Sequence, residues 1–522
     1  MRYLVTSEEM KRYDKATIEK IGIPGPVLME RAALQTFFCL KERGQITAGH
    51  KVLILAGYGN NGGDGLVLAR LLCEANMKVY LWLVGNEAKA TQDFQLQKRI
   101  LDSYPIKEVS EKPKGSYDVI VDALFGVGLS RPLEGKYLEA IESLNRVSGF
   151  KVAMDIPSGV SADTGEILGT AFRADLTVTY GFEKKGLYLY PGGSLSGKIV
   201  LADVGISKRS FRDDEPQCFA IDEDLQELLP QRVPDGNKGT FGKVLIIAGS
   251  YQMAGAAVLC SKACYRTGAG MVKVLTVPEN RIILQETLPE ALLGNVMEEE
   301  DVISSLLWCN VICIGPGLGR GAEAVKAIAM ALGVHKALTT TQIENIQKKP
   351  LILDADGLNL LTEHSEFLDV IKGQGQAGRQ IVLTPHAGEF LRLWNAAAKI
   401  VEGSEDLQMN TFKRQPWNYA RQLSKWLSVI VVAKDARTLI CAPEGSYCMN
   451  LSGNSGMATA GSGDVLAGIL SAFVAALGHG KALEPDLFFL AACRAVRAHG
   501  LLGDEAAKRL GEHAVMAGDL IP

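Results

Sequence analysis

The segment Asn454-Ser-Gly-Met-Ala-Thr-Ala-Gly-Ser-Gly-Asp464 runs directly into an apolar stretch, Val465 to Gly478. Glycines there expose backbone N–H groups at a helix start, where the dipole adds positive potential: a cradle for a transferring phosphoryl group. Asp464, in the first turn, is placed to accept a hydroxyl proton from the acceptor. A second glycine cluster, Gly57-Tyr-Gly-Asn-Asn-Gly-Gly-Asp-Gly65, lies between a strand and a helix read from Leu66. It fits neither G-x-G-x-x-G nor the P-loop pattern, since no Lys-Ser/Thr follows. Yet Asn60 to Gly65 are all Asn, Gly or Asp, more than a turn alone requires.

Carboxylates close other strands. Asp122 precedes Gly126-Val-Gly-Leu-Ser-Arg-Pro132, and a later strand ends in Asp155-Ile-Pro-Ser-Gly159. Asp155 reads as a general acid or base and Ser158 as an oxygen ligand for a cation. Further on come Val311-Ile-Cys-Ile-Gly-Pro-Gly-Leu-Gly319, Leu351-Ile-Leu-Asp-Ala-Asp-Gly-Leu-Asn359, Thr384-Pro-His-Ala-Gly-Glu389 and Lys434-Asp-Ala-Arg-Thr438. The last carries two cations suited to nucleotide phosphates. Any one Asp here is equally a cap or turn former. In the first half, three such features at successive strand ends would share one crevice, where open α/β sheets hold ligands.

Short Val/Ile/Leu runs alternating with helical patterns must carry these loops. Strands are predicted at Val52–Ala56, Val79–Val84, Val119–Asp122, Val152–Asp155, Leu176–Tyr180 and Lys198–Ala202, with helices at Leu66–Glu74 and Leu133–Asn145 among others. Continuous apolar strands separated by helices imply a parallel sheet covered on both faces. The polar stretch Ser207–Asp224 breaks the rhythm, so the domains are placed at residues 1–212 and 222–522. The pattern restarts with Val244–Ala248, Val272–Val277, Val311–Ile314, Leu351–Asp354, Ile381–Thr384, Val429–Lys434 and Thr438–Cys441, and Asp464–Leu477 forms a long helix. Lys51-Val-Leu-Ile-Leu-Ala-Gly57 resembles Lys243-Val-Leu-Ile-Ile-Ala-Gly249, but the residues beyond diverge, which favours convergence over duplication.

Composition removes several classes. A chain of 522 residues with 47% hydrophobic and 22% charged residues is ordinary globular material of several domain-sized units. Lys plus Arg of 55 against Asp plus Glu of 59 leaves a net charge of −4, without a basic footprint for nucleic acid or a membrane surface. Glycine, at 55 residues, exceeds the usual share of roughly 7%. The first twenty residues lack the unbroken apolar core of a signal peptide, and Val465–Gly478 is too short to span a bilayer. The ten cysteines have no zinc spacing; Cys260 and Cys264 are expected on a helix, Cys309 and Cys313 on a strand, all as buried thiols of a reduced cytoplasmic protein.

With Gly461-Ser-Gly-Asp464, the second half resembles the ribokinase-like superfamily. Together with Gly315-Pro-Gly-Leu-Gly319, Asp354-Ala-Asp356 and Thr384-Pro-His-Ala-Gly-Glu389 it resembles, more narrowly, the ADP/ATP-dependent NAD(P)H-hydrate dehydratases. The first half, on Asn60 to Gly65, Gly126 to Pro132 and Asp155 to Gly159, resembles NAD(P)H-hydrate epimerases. The order of the two matches is that of the bifunctional NAD(P)H-hydrate repair family. The implied fold is α/β in two domains, an N-terminal Rossmann-like three-layer α/β sandwich and a C-terminal ribokinase-like α/β domain. The implied activity is epimerisation of R and S hydrates of NADH and NADPH at C6, then dehydration of the S form at the expense of ADP, giving AMP and phosphate.

Carried over residue by residue, the resemblance makes Asp155 the acid/base of the epimerase. Asn60, Asn61, Gly62, Gly63, Asp64 and Gly126, Val127, Gly128, Leu129, Ser130, Arg131, Pro132 would bind the dinucleotide there, with potassium on Asn61, Asp122 and Ser158. In the dehydratase, Asp464 is catalytic, and Gly317, His386, Gly388 and Glu389 contact the hydrate. Lys434, Asp435, Ala436, Arg437 and Thr438, with Asn454, Ser455, Gly456, Gly461, Ser462 and Gly463, would bind ADP, and magnesium is implied by phosphoryl transfer. Asp435 departs from the family's Lys-Gly-Ala and adds a negative charge near those phosphates. A homo-oligomer, a tetramer or larger, is the family expectation. The rival reading is a ribokinase-like vitamin or sugar kinase carrying a non-catalytic ligand-binding module.

Overall fold

The structure, a computed structural model, describes every residue except 111, 213, 402–405 and 479–483, so Asp213 of the boundary stretch lies outside the described residues. It divides into two compact units, Arg2–Cys218 and Phe219–Pro522.

The first unit contains β1 (Arg2–Val5), β2 (Lys51–Ala56), β3 (Lys78–Leu83), β4 (Lys107–Glu108), β5 (Ser116–Ala123), β6 (Ser148–Met154), β7 (Leu176–Tyr180), β8 (Glu183–Lys184) and β9 (Lys198–Ala202). Seven of these form one sheet in the order β4-β3-β2-β5-β6-β7-β9, every pair parallel. The order reverses between β2 and β5, which opens a crevice at their carboxyl ends. Side chains alternate across the sheet. Val52 and Ile54 join Leu66, Leu68 and Met29 on one face, while Leu53 and Leu55 join Ile141 and Leu144 on the other. Two apolar faces, each covered by helices, make three layers.

The second unit follows a short strand, β10 (Cys218–Ala220), and holds β11 (Lys243–Ile247), β12 (Met271–Thr276), β13 (Leu292–Asn295), β14 (Val311–Ile314), β15 (Leu351–Leu353), β16 (Ile381–Leu383), β17 (Ile430–Ala433), β18 (Leu439–Cys441) and β19 (Tyr447–Met449). Their order is β13-β12-β11-β14-β15-β16-β17-β18-β19, parallel from β13 to β17 and antiparallel thereafter. The order again reverses beside the first strand, between β11 and β14. The helix Ser462–Leu477 is buried along almost its whole length from Val465 to Ala476, as an all-round apolar helix must be. It packs on Ala254–Thr267 so closely that a Cβ at Gly468 would run into the Cys260 carbonyl oxygen. No described helix is long and apolar enough to cross a membrane.

Several local expectations are corrected. The helix expected from Leu66 spans Asn60–Glu74, so the glycine cluster forms its opening turns rather than a loop. Its glycines serve close packing: a Cβ at Gly62 would strike the Gly57 carbonyl oxygen, and one at Gly63 would lie 2.6 Å from the Met29 methyl. Asp155 and Asp354 fall just past the ends of their strands, and Asp155 has a φ of +70°. Cys309 is the C-cap of the helix Glu299–Trp308 and not a strand residue, whereas Cys260 and Cys264 do lie on a helix.

Candidate functional sites

In the first unit the carboxyl ends of β2, β3, β5 and β6 border a cavity of about 550 Å³. Asn60, Asn61, Asp64, Gly126, Val127, Gly128, Leu129 and Asp155 line it; Gly62 and Gly63 do not, being packed inside the helix start, and Ser130, Arg131 and Pro132 are exposed beyond it. Asp155 is the focus. Its carboxylate takes a hydrogen bond of 2.6 Å from the Lys184 ammonium, one of 3.4 Å from Thr179 and one of 3.3 Å from the Val127 amide. Lys184 also donates to the Thr179 hydroxyl at 3.1 Å and the Tyr180 carbonyl at 2.9 Å. With Lys184 only 1% exposed, the pair is a buried charge couple that holds Asp155 in one orientation. A Cβ at Gly126 would lie 2.8 Å from the Asp155 carboxylate and 3.4 Å from Asn61 Cγ, so this glycine keeps the space between them open.

Below that level, Asp122 is fully buried and accepts from the Ser158 amide and hydroxyl, both at 2.7 Å, and from the Leu124 amide at 3.1 Å. Burial pushes its carboxyl up to about 6, against the pull of the Ser158 bonds. The Asn61 carboxamide is buried with neither its oxygen nor its nitrogen hydrogen-bonded. Asp64 lines the cavity with no hydrogen-bond partner among the described residues. Burial first, then the Asp155, Asp14 and Asp93 carboxylates, raise its pKa well above the usual range.

Lys184 escaped the sequence reading. Glu183-Lys-Lys185 looks like a solvated charge run, yet the three are 2%, 1% and 4% exposed. The available signal was position: they follow the carboxyl end of β7, as the recognised motifs follow β2, β5 and β6. Asp14 and Tyr180, which also line the cavity, carried no such signal.

In the second unit Asp354 is 1% exposed. It accepts from Lys434 at 2.7 Å and from the Thr384 hydroxyl at 2.6 Å. Lys434 is placed by β17 and by its amide bonding the Pro385 carbonyl at 2.8 Å. Burial works against its charge, but the Asp354 and Glu389 carboxylates outweigh it and raise its pKa. The helix Ser462–Leu477 begins at Gly461, whose φ of +90° suits glycine. At its first turn a Cβ on Gly463 would stand 3.3 Å from the Lys434 ammonium and 3.8 Å from the Asp354 carboxylate. Asp464 follows; burial, and next the Asp354 carboxylate, push it up to about 7 against the attraction of Lys434.

His386 caps the helix Ala387–Ala398, its Nδ1 accepting from the Gly388 amide at 3.1 Å, while Glu389 accepts from the His386 amide at 2.9 Å. Burial raises the Glu389 carboxyl. Gly317, with φ +56°, packs against Met253 and Ala256. Asp435 to Thr438 form a tight turn, Asp435 accepting from the Ala436 amide at 2.7 Å and Thr438 donating to the Asp435 carbonyl at 3.1 Å. Asn454 accepts from the Gly456 amide and donates to Asp504, both at 3.0 Å, and Ser455 bonds Glu512. Lys434 thus stands with Gly463 and Asp354, while Asn454 to Gly456 are tied to Asp504 and Glu512. Asp504 was missed, as was buried His499. The latter's Nε2 lies 3.4 Å from the Ser462 hydroxyl, and burial and Lys434 lower its pKa to about 4.

Two family models match. Residues 244–521 match that of NAD(P)H-hydrate dehydratase, and residues 25–186 that of the YjeF-related protein N-terminus. The bifunctional NAD(P)H-hydrate repair enzyme Nnr of Thermofilum pendens is 33% identical over 97% of this chain and 92% of its own. The enzyme of the same name from Moorella thermoacetica is 34% identical over 99% of this chain and 95% of its own. A solved ribokinase-like superfamily protein from Enterococcus faecalis V583 is 29% identical, with a TM-score of 0.46, over 58% of this chain and 93% of its own.

Proposed function

The chain belongs to the family of bifunctional NAD(P)H-hydrate repair enzymes, and from that premise we propose that its two units divide the repair of hydrated NADH and NADPH. Residues 1–212 interconvert the R and S epimers at C6; residues 222–522 dehydrate the S epimer with ADP as phosphoryl donor. The observation that carries this reading is that each family match falls on a unit holding a buried lysine–aspartate pair beside a glycine-opened helix start.

In the epimerase, Asp155 is the acid/base, held by Lys184, and the cavity takes the dinucleotide along Asn60 to Asp64 and Gly126 to Leu129. Ser130, Arg131 and Pro132, being exposed, would serve only the substrate's outer end. A potassium ion fits Asn61, Asp122 and Ser158: an orphaned buried carboxamide, one carboxylate and a hydroxyl suit a large monovalent cation. When bound, it supplies positive charge that offsets the buried Asp122 carboxylate.

In the dehydratase, Asp464 takes the proton as the C6 hydroxyl oxygen attacks the terminal phosphorus of ADP. The amides from Gly461 to Gly463 and the Lys434 ammonium offset the charge that develops on the phosphoryl oxygens. AMP leaves; the C6–O bond then breaks to release phosphate, a far better leaving group than hydroxide, while C5 gives up a proton to water and the C5–C6 double bond of the reduced nicotinamide forms. His386, Gly388 and Glu389 with Gly317 contact the hydrate; Asp435 to Thr438 and Asn454 to Gly456 contact the nucleotide. Among the described residues no three His, Cys, Asp or Glu are grouped to hold a metal. Magnesium would enter with the nucleotide phosphates, where it would screen their negative charge. A cytoplasmic homo-oligomer completes the reading.

The deciding experiment supplies hydrated NADH and ADP and follows reduced-nicotinamide absorbance. Recovery with release of AMP and phosphate is expected; a stable phosphorylated product without recovery would overturn the reading in favour of a kinase.

A further inference from the structure

The cavity of the first unit holds four aspartates, Asp14, Asp64, Asp93 and Asp155, and only Asp155 has a cation in hydrogen-bond reach among the described residues. Asp64 belongs to the opening turns of the helix that follows β2, and Asp155 to the turn that follows β6. Between them lies the end of β5 with Gly126. A Cβ at Gly126 would meet both the Asp155 carboxylate, at 2.8 Å, and Asn61, at 3.4 Å, less than one helical turn before Asp64. Both carboxyl groups line one cavity and reach it from the ends of different strands.

Their chemical states differ. Lys184 donates to the Asp155 carboxylate at 2.6 Å and fixes its orientation. Asp64 has no cation or hydrogen-bond donor on its carboxyl among the described residues, and burial and three neighbouring carboxylates favour its protonated form. An acid and a base facing one cavity are what inversion at a carbinol carbon next to nitrogen requires.

Building on the epimerase reading above, we propose that Asp64 is a second catalytic residue, acting on the face of C6 opposite to Asp155. The ring nitrogen's lone pair forms the C6–N1 double bond while the C6–O bond breaks. The departing oxygen takes the Asp64 proton and leaves as water. A water on the other face forms a new C6–O bond, the π electrons return to N1, and the water's proton passes to the Asp155 carboxylate. The products are the epimeric hydrate and one proton moved from Asp64 to Asp155; the reverse reaction begins from that exchanged state. Nothing is oxidised or reduced.

The test runs R-to-S conversion in ¹⁸O-labelled water with the full chain, beside an enzyme-free control. The expected result is one ¹⁸O in the C6 hydroxyl of every S molecule from the first turnover. Asp64→Asn should lower conversion by at least about 100-fold, the span of a lost general acid, while supplied S epimer is still dehydrated at the wild-type rate. Asp64→Glu, which keeps a carboxyl, should recover part of the loss, separating proton transfer from mere packing. S product that retains ¹⁶O would mean the ring opened with its oxygen kept, and that overturns the proposal, as does an Asp64→Asn variant within tenfold of wild type. A wild-type chain that leaves the R epimer untouched overturns the epimerase reading as well.

Discussion

Acidifying the dehydratase reaction tests the electrostatics of the second site directly. Asp464 must be ionised to receive the hydroxyl proton, and its carboxyl is pushed from an ordinary 3.8 to about 7 by burial and then by Asp354. One proton on that group stops the reaction, so kcat/KM for the S hydrate should fall tenfold per unit below the limb. At pH 5 about 1% of the plateau remains; an unperturbed aspartate would leave the plateau nearly flat to that pH. The assay is the initial rate of reduced-nicotinamide recovery at limiting hydrate and saturating ADP between pH 5 and 9.

A phosphate on ADP titrates in a similar range, about pH 6, and Asp354→Asn separates the two. That variant removes the carboxylate that disfavours the Asp464 anion and frees Lys434 to favour it, so both changes lower the Asp464 pKa. A neighbouring charge moves a carboxyl by roughly one to three units, so the limb should drop by at least about one unit while the nucleotide's own ionisation stays put. Truncating one partner of a buried pair costs about 3–5 kcal/mol of stability, so melting is followed alongside. A wild-type profile flat from pH 5 to 8, or an acid limb that ignores Asp354→Asn, would refute the assignment of Asp464 as the base.

Three further outcomes follow from the first unit. Lys184→Met strips the cation from a buried carboxylate, a loss of roughly 3–5 kcal/mol. Epimerase kcat/KM should fall by about 100-fold or more while dehydration of supplied S epimer holds; equal loss of both would point to general unfolding instead. Gly62→Ala drives a methyl into the Gly57 carbonyl oxygen, overpacking that costs about 1–3 kcal/mol or more. The melting transition of this unit should drop by several degrees, at about 2–4 °C per kcal/mol, and an unchanged transition would deny the close approach. Replacing potassium by lithium should slow epimerisation severalfold in the wild type but not in Asn61→Ala, the cation dependence being lost with the carboxamide; a dependence that survives the substitution excludes Asn61 as a ligand.

Elements built from repetition were legible in sequence. A run such as Val52 to Ala56, apolar throughout, short and closed by Gly57, suits a strand covered on both faces. The same logic places β14 at Val311–Ile314, as observed. Signals of one or two residues were not. Lys107–Glu108, two charged residues, forms a parallel pair with β3 only because the neighbouring strand offers its edge. The glycines from Gly62 to Gly65 looked like a loop because glycine weakens an isolated helix; tertiary contact reverses this, since only a bare Cα fits against Gly57, Met29 and Ala123. Lys184 was hidden for a related reason. A lysine flanked by Glu183 and Lys185 reads as solvated until the fold supplies the carboxylate, the hydroxyl and the carbonyl that let its ammonium stay buried.

Both units reach the same electrostatic solution from unrelated loops. In each, a lysine is locked on one buried aspartate, Lys184 on Asp155 at 2.6 Å and Lys434 on Asp354 at 2.7 Å. In each, a second aspartate in the opening turns of a glycine-rich helix, Asp64 or Asp464, is raised by burial and by the paired carboxylate. The locked pair supplies fixed charge; the second aspartate is shifted toward its protonated form. A helix dipole alone would hold an aspartate ionised at these positions, so it is desolvation together with the nearby anion that converts a capping residue into a proton carrier. The lysine limits that conversion, since its cation pulls the second aspartate back toward ionisation in both units. Burial sets the larger part of the shift, and the paired carboxylate and lysine adjust it in opposite senses, so changing either partner should retune proton transfer without touching the residue that performs it.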